Sequence, residues 1–144
     1  RMNSKARALL FIFLVPLFLA CSKNSNSQSV KMQQYIVEGE VLYAKHCSNC
    51  HRPSGKGLGR VYPPLVQSDY MLAHFEDVIC SMKYGKQGEI IVNGKSFNKA
   101  MPGIPSLTEL EIAEIATYIY TNWGDTQRLV ETSEVGKILE KCNQ

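Results

Sequence analysis

Cys47-Ser48-Asn49-Cys50-His51 is the segment that most constrains this chain. It is a C-x-x-C-H motif, the pattern of covalent c-type haem attachment. Two thiols three positions apart can each add to a vinyl group of one porphyrin. The imidazole that follows then lies beneath the iron, to which it is a good donor. A thioredoxin-like redox pair normally sits in a βαβ pattern, and no parallel-strand pattern surrounds these cysteines. Tetrahedral zinc usually takes a second ligand pair at regular spacing, whereas Cys80 stands alone and no His-x-x-x-His follows. The motif therefore assigns Cys47 and Cys50 to attachment of one haem c, and His51 to the proximal iron position.

The N-terminal end points to export. Arg1, Lys5 and Arg7 form a positive region ahead of an apolar run of thirteen residues, Ala8 to Ala20. That run is short of the roughly 20 residues a spanning helix needs and matches the apolar part of a signal peptide. Cys21 follows Phe18-Leu19-Ala20, which resembles a bacterial lipobox with Phe18 where leucine is usual. Residues 1–21 are thus expected to be a leader, with Cys21 lipidated and the protein anchored to a membrane, not spanning it. The alternative is a plain secretory signal with an incidental Cys21. Ser22 after the cysteine favours an outer membrane by analogy with enteric lipoproteins. Residues 22–33 begin with a Ser/Asn/Gln-rich tract that cannot bury a core. They are expected to form a flexible tether of about a dozen residues with a reach of roughly 20 Å.

Five cysteines, less Cys21 for lipid and Cys47 and Cys50 for haem, leave Cys80 and Cys142. Disulfides persist in exported proteins, so a Cys80–Cys142 bridge is expected; two buried free thiols are the alternative. Residues 34–144 make one domain by length. Such a small core gains from an enclosed haem as an apolar centrepiece.

Helical periodicity dominates this domain. Gly39, Tyr43 and Cys47 recur every four residues in a first helix over 35–47, and so share one face. Ile112, Ile115, Ala116, Ile119 and Trp123 form a core-facing stripe in a helix over 107–123. Ser106-Leu107-Thr108-Glu109 offers capping-box spacing at its start, and Gly124 a stop at its end. Glycines and Pro63-Pro64 predict irregular backbone over 53–65. A middle helix is expected over 68–84, although its stripe is less regular. Ile90 to Phe97 reads as a hairpin around Asn93-Gly94. A final helix over 133–142 would point Val135, Ile138, Leu139 and Cys142 inward.

A second axial ligand must come from His46, Met71, His74, Met82 or Met101. His46 is constrained by the neighbouring attachment segment. Met71 and Met82 read as gap-filling core residues, and His74 as a surface or satisfied histidine. Met101 lies in Met101-Pro102-Gly103-Ile104-Pro105, where two prolines limit loop freedom and lower the entropic cost of holding a sulfur over iron. Met101 is the expected distal ligand.

In order, these features are a helix, C-x-x-C-H, a Pro-Pro-Leu loop, a hairpin, Met-Pro and a C-terminal amphipathic helix. Over about residues 34–124 that order resembles a class I cytochrome c, in the manner of bacterial monohaem modules. Some of those are fused to, or work beside, respiratory oxidases and reductases. The resemblance implies an all-α fold around one covalent haem, here with a short β-hairpin and an extra C-terminal helix in the extension 125–144. It implies that Gly39 and Tyr43 cross the last long helix near Ile115 and Tyr118. It also implies that the carbonyl of Pro63 or Pro64 accepts a hydrogen bond from the proximal imidazole. His/Met ligation would then hold both iron oxidation states with little rearrangement, as a one-electron carrier needs.

Charge suggests how partners dock. Less the three leader charges, the chain carries thirteen basic and thirteen acidic residues. Residues 52–99 hold seven basic against four acidic, net +3, and residues 109–144 three against seven, net −4. A basic loop side, with Lys56, Lys83, Lys86, Lys95 and Lys99, is expected to face an acidic respiratory partner, an oxidase or reductase. Nucleic acid is excluded for lack of a basic cluster. The rival functions are a fixed haem subunit of a larger oxidase or reductase, and a sensor or peroxidase-like protein with an open sixth position.

Overall fold

A computed structural model of the chain describes residues 24–124 and 126–142. The expected leader and Cys21 lie outside the described residues. The first helix, α1, runs Asn24–His46, starting eleven residues before the expected Tyr35. Residues 24–33 are therefore helical turns and not the flexible tether expected for 22–33. No proline or glycine interrupts 24–38, so once later turns are anchored, earlier ones add at little cost. The anchors are on the C-terminal extension: Lys31 Nζ pairs with Glu131 at 2.5 Å, and the Tyr35 hydroxyl meets Thr132 Oγ1 at 3.3 Å.

After α1 come the short helices α2 (Ser48–His51) and α3 (Asp69–Ala73), then α4 (Phe75–Tyr84). The single middle helix expected over 68–84 is thus two. His74, at φ −124° and ψ 51°, leaves helical backbone between them. This break is what made the apolar stripe irregular: Met71 on one segment and Ile79 and Met82 on the other are all buried. Ser68 caps α3 by accepting from Met71 N, and Gly85 follows the last residue of α4.

Two small antiparallel pairs follow. β2 (Ile90–Val92) pairs with β3 (Lys95–Phe97) in the predicted hairpin, with Asn93 and Gly94 both at positive φ in its turn. The sequence did not foretell the second pair, β1 (Gly85–Lys86) with β4 (Met101–Pro102), whose strands are two residues each.

Helix α5 covers Glu109–Trp123. Its capping box is Thr108 with Glu111, two residues beyond the expected Ser106 and Glu109: Thr108 N donates to Glu111 Oε2 at 2.8 Å, and Glu111 N donates to Thr108 Oγ1 at 3.2 Å. Leu107 decides the shift. It is 2% exposed, and with buried Ile112 it occupies the two positions of a hydrophobic staple around Thr108. Gly124 ends the helix, but with extended backbone (φ −87°), not a left-handed cap.

α1 crosses α5 where Gly39 has no side chain. A Cβ there would lie 2.1 Å from the Glu114 carbonyl oxygen and 2.7 Å from Tyr118 Cβ, so this crossing admits only glycine. The crossing falls at Glu114 and Tyr118, one residue from the expected Ile115 contact. One turn on, Tyr43 packs against Tyr118 and Trp123 with ring centroids 5.5 and 5.0 Å apart.

The extension 126–142 accounts for burial beyond the predicted stripe. Ala113, Thr117 and Tyr120 are also buried, because α6 (Thr132–Lys141) and α4 pack on that side of α5. Thr117 Oγ1 accepts a buried hydrogen bond from Val130 N at 3.0 Å. Val135, Ile138 and Leu139 face the core, each worth about 1.5–3 kcal/mol if fully buried. Cys142, directly after α6, is disulfide-bonded to Cys80 on α4, with Cα atoms 5.7 Å apart. The bridge expected from the cysteine count is thus present.

Candidate functional site

The C-x-x-C-H segment follows α1 after one break, at Cys47. Cys47 N bonds Tyr43 O at 2.9 Å, and His51 N bonds Cys47 O at 3.0 Å. This single turn places Cys47, Cys50 and His51 on one wall. At Arg52 the chain turns away with φ +66°, and its carbonyl accepts from the Tyr43 hydroxyl at 2.7 Å. The α1–α5 crossing is thereby linked to the attachment segment by one buried tyrosine.

Facing them is an open-mouthed cleft with mostly apolar walls. Every expected site residue lines it: Cys47, Cys50, His51, Pro63, Pro64 and Met101. The remaining walls come from α3, α4, α5 and the hairpin, through residues such as Met71, Met82, Ile115, Ile119, Val92 and Phe97. Helical periodicity pointed to the core role of several of these, but not to the shared cavity.

His51 is buried, and its Nδ1–H donates to the Pro63 carbonyl at 3.0 Å. Between Pro63 and Pro64, the alternative left open by the sequence, the acceptor is Pro63. The turn Leu58–Tyr62 and the bond from Gly57 N to His51 O at 3.0 Å bring that carbonyl round. Burial lowers the His51 pKa, and the Pro63 bond only partly opposes it. The imidazole is therefore a neutral donor whose Nε2 remains for a metal. Burial, helped by the neighbouring Cys50, pushes the Cys47 thiol up to about 12. Among the described cysteines, Cys47 and Cys50 are thiols while Cys80 and Cys142 are paired. Two thiols, one oriented neutral imidazole and apolar walls together fit a covalently held haem.

The other candidate ligands are separated by place. Of the three histidines, only His51 lines the cleft; His74 packs at a tilt against Tyr70 with centroids 4.5 Å apart. Met71 and Met82 reach the cleft but belong to the packed core, at 1% and 5% exposure. Met101 is half-buried, lies outside that core cluster and sits on β4 opposite Lys86.

Two lysines expected on the docking surface have internal partners. Lys83 Nζ donates to the Pro105 and Leu107 carbonyls at 2.7 and 2.6 Å. Lys86 Nζ binds Asp77 at 2.6 Å, and Asp77 also accepts from the Tyr70 hydroxyl at 2.5 Å. No sequence signal distinguished these lysines from surface ones, because their acceptors come from other elements.

A mostly helical frame around a C-x-x-C-H wall and an apolar cleft defines a small c-type haem protein. The chain belongs to the cytochrome c family, whose model, described as Cytochrome c, matches residues 36–123. It is 32% identical over 96 residues to cytochrome c-552 of Thermus thermophilus, covering 64% of this chain and 72% of that protein. It is also 32% identical over 92 residues to the cytochrome c subunit of a quinone alcohol dehydrogenase from Gluconacetobacter polyoxogenes, covering 62% of this chain. Similarity to the fructose dehydrogenase cytochrome subunit of Gluconobacter japonicus is 28% over 126 residues, 83% of this chain. The chain spans only 19% and 24% of those two subunits. As a class I c-type cytochrome it holds haem c covalently and carries electrons, and is not itself an enzyme.

Proposed function

We propose that Cys47 and Cys50 hold the haem through thioethers, and that His51 and Met101 are its axial ligands in a carrier serving membrane-associated respiratory partners outside the cytoplasm. The observation that supports this most is the single cleft lined by both thiols, His51 and Met101. The group supplies the Fe(II)/Fe(III) couple when bound. The chain's own residues set its conditions. Pro63 fixes the imidazole tautomer through His51 Nδ1, and the apolar walls keep water from the sulfur. The ferric optical spectrum tests the ligation: low-spin iron with a sulfur–iron charge-transfer band is expected. A high-spin spectrum with rapid cyanide binding would instead make the protein a sensor or peroxidase-like.

Docking falls to the basic loop side. With Lys83 and Lys86 engaged internally, the charge offered there comes from Lys56, Lys95 and Lys99, together with the exposed Arg52 and Arg60. Electron exchange with an acidic partner should slow as ionic strength rises. Faster exchange with a basic partner at low salt would contradict this orientation.

Export and lipidation at Cys21 rest on the leader's charge, apolar run and Phe18-Leu19-Ala20-Cys21 sequence. A second reading, a fixed haem subunit, is favoured by the similarity to cytochrome subunits of dehydrogenases. One fractionation separates these. An anchored protein stays with membranes through a high-salt wash and is released by detergent; release by salt would remove the anchor. Purified from that extract, a mobile carrier comes alone, and a fixed subunit comes with a dehydrogenase, oxidase or reductase.

A further inference from the structure

The segment 101–107 is poorly equipped to hold itself in place. Pro102 and Pro105 have no N–H to donate, and its only strand, β4, is two residues long. Leu107 is buried in the core and Ile104 packs against it, and the segment's hydrogen bonds to other elements run to the last turn of α4 and the residues just after it. At the near end β4 pairs with Gly85 and Lys86. The two backbones touch there: a Cβ on Gly85, which sits at φ +83°, would lie 2.6 Å from Met101 O and 2.7 Å from Gly103 N. In the middle, Ile104 N donates to Met82 O at 3.0 Å. At the far end, the Pro105 and Leu107 carbonyls both accept from Lys83 Nζ, across 22 and 24 residues of sequence.

We propose that Lys83 is a positioning residue for Met101: its ammonium, bonded to the Pro105 and Leu107 carbonyls, keeps the 101–107 segment closed so that the Met101 sulfur stays presented to the cleft. This rests on Met101 being the distal ligand. Charge-assisted bonds to carbonyls are stronger than neutral ones. A single ammonium serving two carbonyls also ties together the turn that leads into α5. Lys86 has a different task, since its ammonium goes to Asp77 on α4 and steadies β1 itself. Among the described lysines, Lys83 alone bonds to the segment that carries the ligand, which is half-buried at Met101 and exposed at Pro105.

The consequence concerns ligand exchange. Exogenous imidazole competes with the methionine sulfur, so its apparent affinity reports how often the segment opens. The test uses haem-loaded, full-length ferric protein and its Lys83→Met, Lys83→Arg, Lys95→Met and Met101→Ala variants. Lys83→Met keeps the stem and removes the donors; it should weaken the sulfur–iron band and bind imidazole about tenfold more tightly. Lys83→Arg, which keeps the donors, should restore both readouts. Lys95→Met, which removes an exposed hairpin charge, should match the unmodified protein. An unchanged band and imidazole affinity in Lys83→Met would overturn the proposal while leaving Met101 as ligand. So would an equal change in Lys95→Met, which would make the effect one of charge. A band that survives in Met101→Ala would instead overturn the ligand reading itself. If Lys83→Met does not accumulate folded, Lys83→Gln, with one amide donor, serves in its place. Imidazole affinity between those of Lys83→Arg and Met101→Ala is then the expected result, and unchanged affinity the overturning one.

Discussion

Met101→Ala is expected to abolish the sulfur–iron charge-transfer band of the ferric protein and to lower its reduction potential by on the order of 0.2 V. Thioether sulfur is a soft donor that favours ferrous over ferric iron, so its removal stabilises the oxidised state. The substitution should cost little stability. Met101 is half-buried, lies outside the core cluster, and its strand pairing uses backbone only. Optical spectroscopy and equilibrium redox titration of the same preparation check both parts. An intact band would transfer the ligand to Met71 or Met82, each enclosed in the core beside the same cleft. Potential and fold stability should thus separate at this position, as they would not at a residue whose role is packing.

Removal of the Cys80–Cys142 bridge is expected to lower stability by about 4 kcal/mol, the loop-entropy value for a 62-residue separation. In a domain this size that corresponds to a loss of roughly 15–20 °C in melting temperature. The double variant Cys80→Ser, Cys142→Ser avoids a stray thiol, and thermal unfolding of the haem-loaded protein gives the shift. The bridge joins α4 to the end of α6. The extension has other attachments: Val135, Ile138 and Leu139 buried, Val130 bonded to Thr117, and Glu131 paired with Lys31. The Lys31–Glu131 pair is 40–47% exposed on its two side chains and adds little. A shift below about 5 °C would mean that burial of α6 suffices without the covalent link. Because α4 also carries the turn that holds Met101, spectra of the same variant show whether the clasp reaches the cleft.

Local chemistry was readable along the chain, and distant pairing only in part. The common placement of Cys47, Cys50 and His51 on one wall was readable because it depends on spacing within a single helical turn. The Asn93-Gly94 turn and the α5 stripe were readable for the same reason. The Cys80–Cys142 pairing followed from counting, a long-range inference open only to cysteines. The start of α1 was misjudged because composition argues for disorder in isolation, whereas Lys31 and Tyr35 find partners on an extension 97 to 100 residues away. The capping box slipped by two residues because burial of Leu107 outweighed an equally good local spacing.

By itself the sequence determined the cofactor, the family's order of elements and the candidate ligands, since each is written in contiguous residues or simple counts. Only the tertiary structure decided that Pro63 and not Pro64 orients His51, that Gly39 admits Glu114 and Tyr118, and that the ammonium groups of Lys83 and Lys86 find partners at Pro105, Leu107 and Asp77. A carbonyl's direction, a gap of one Cβ and the partner of an ammonium are all set by backbone brought from elsewhere in the chain. No local pattern records where that backbone will lie.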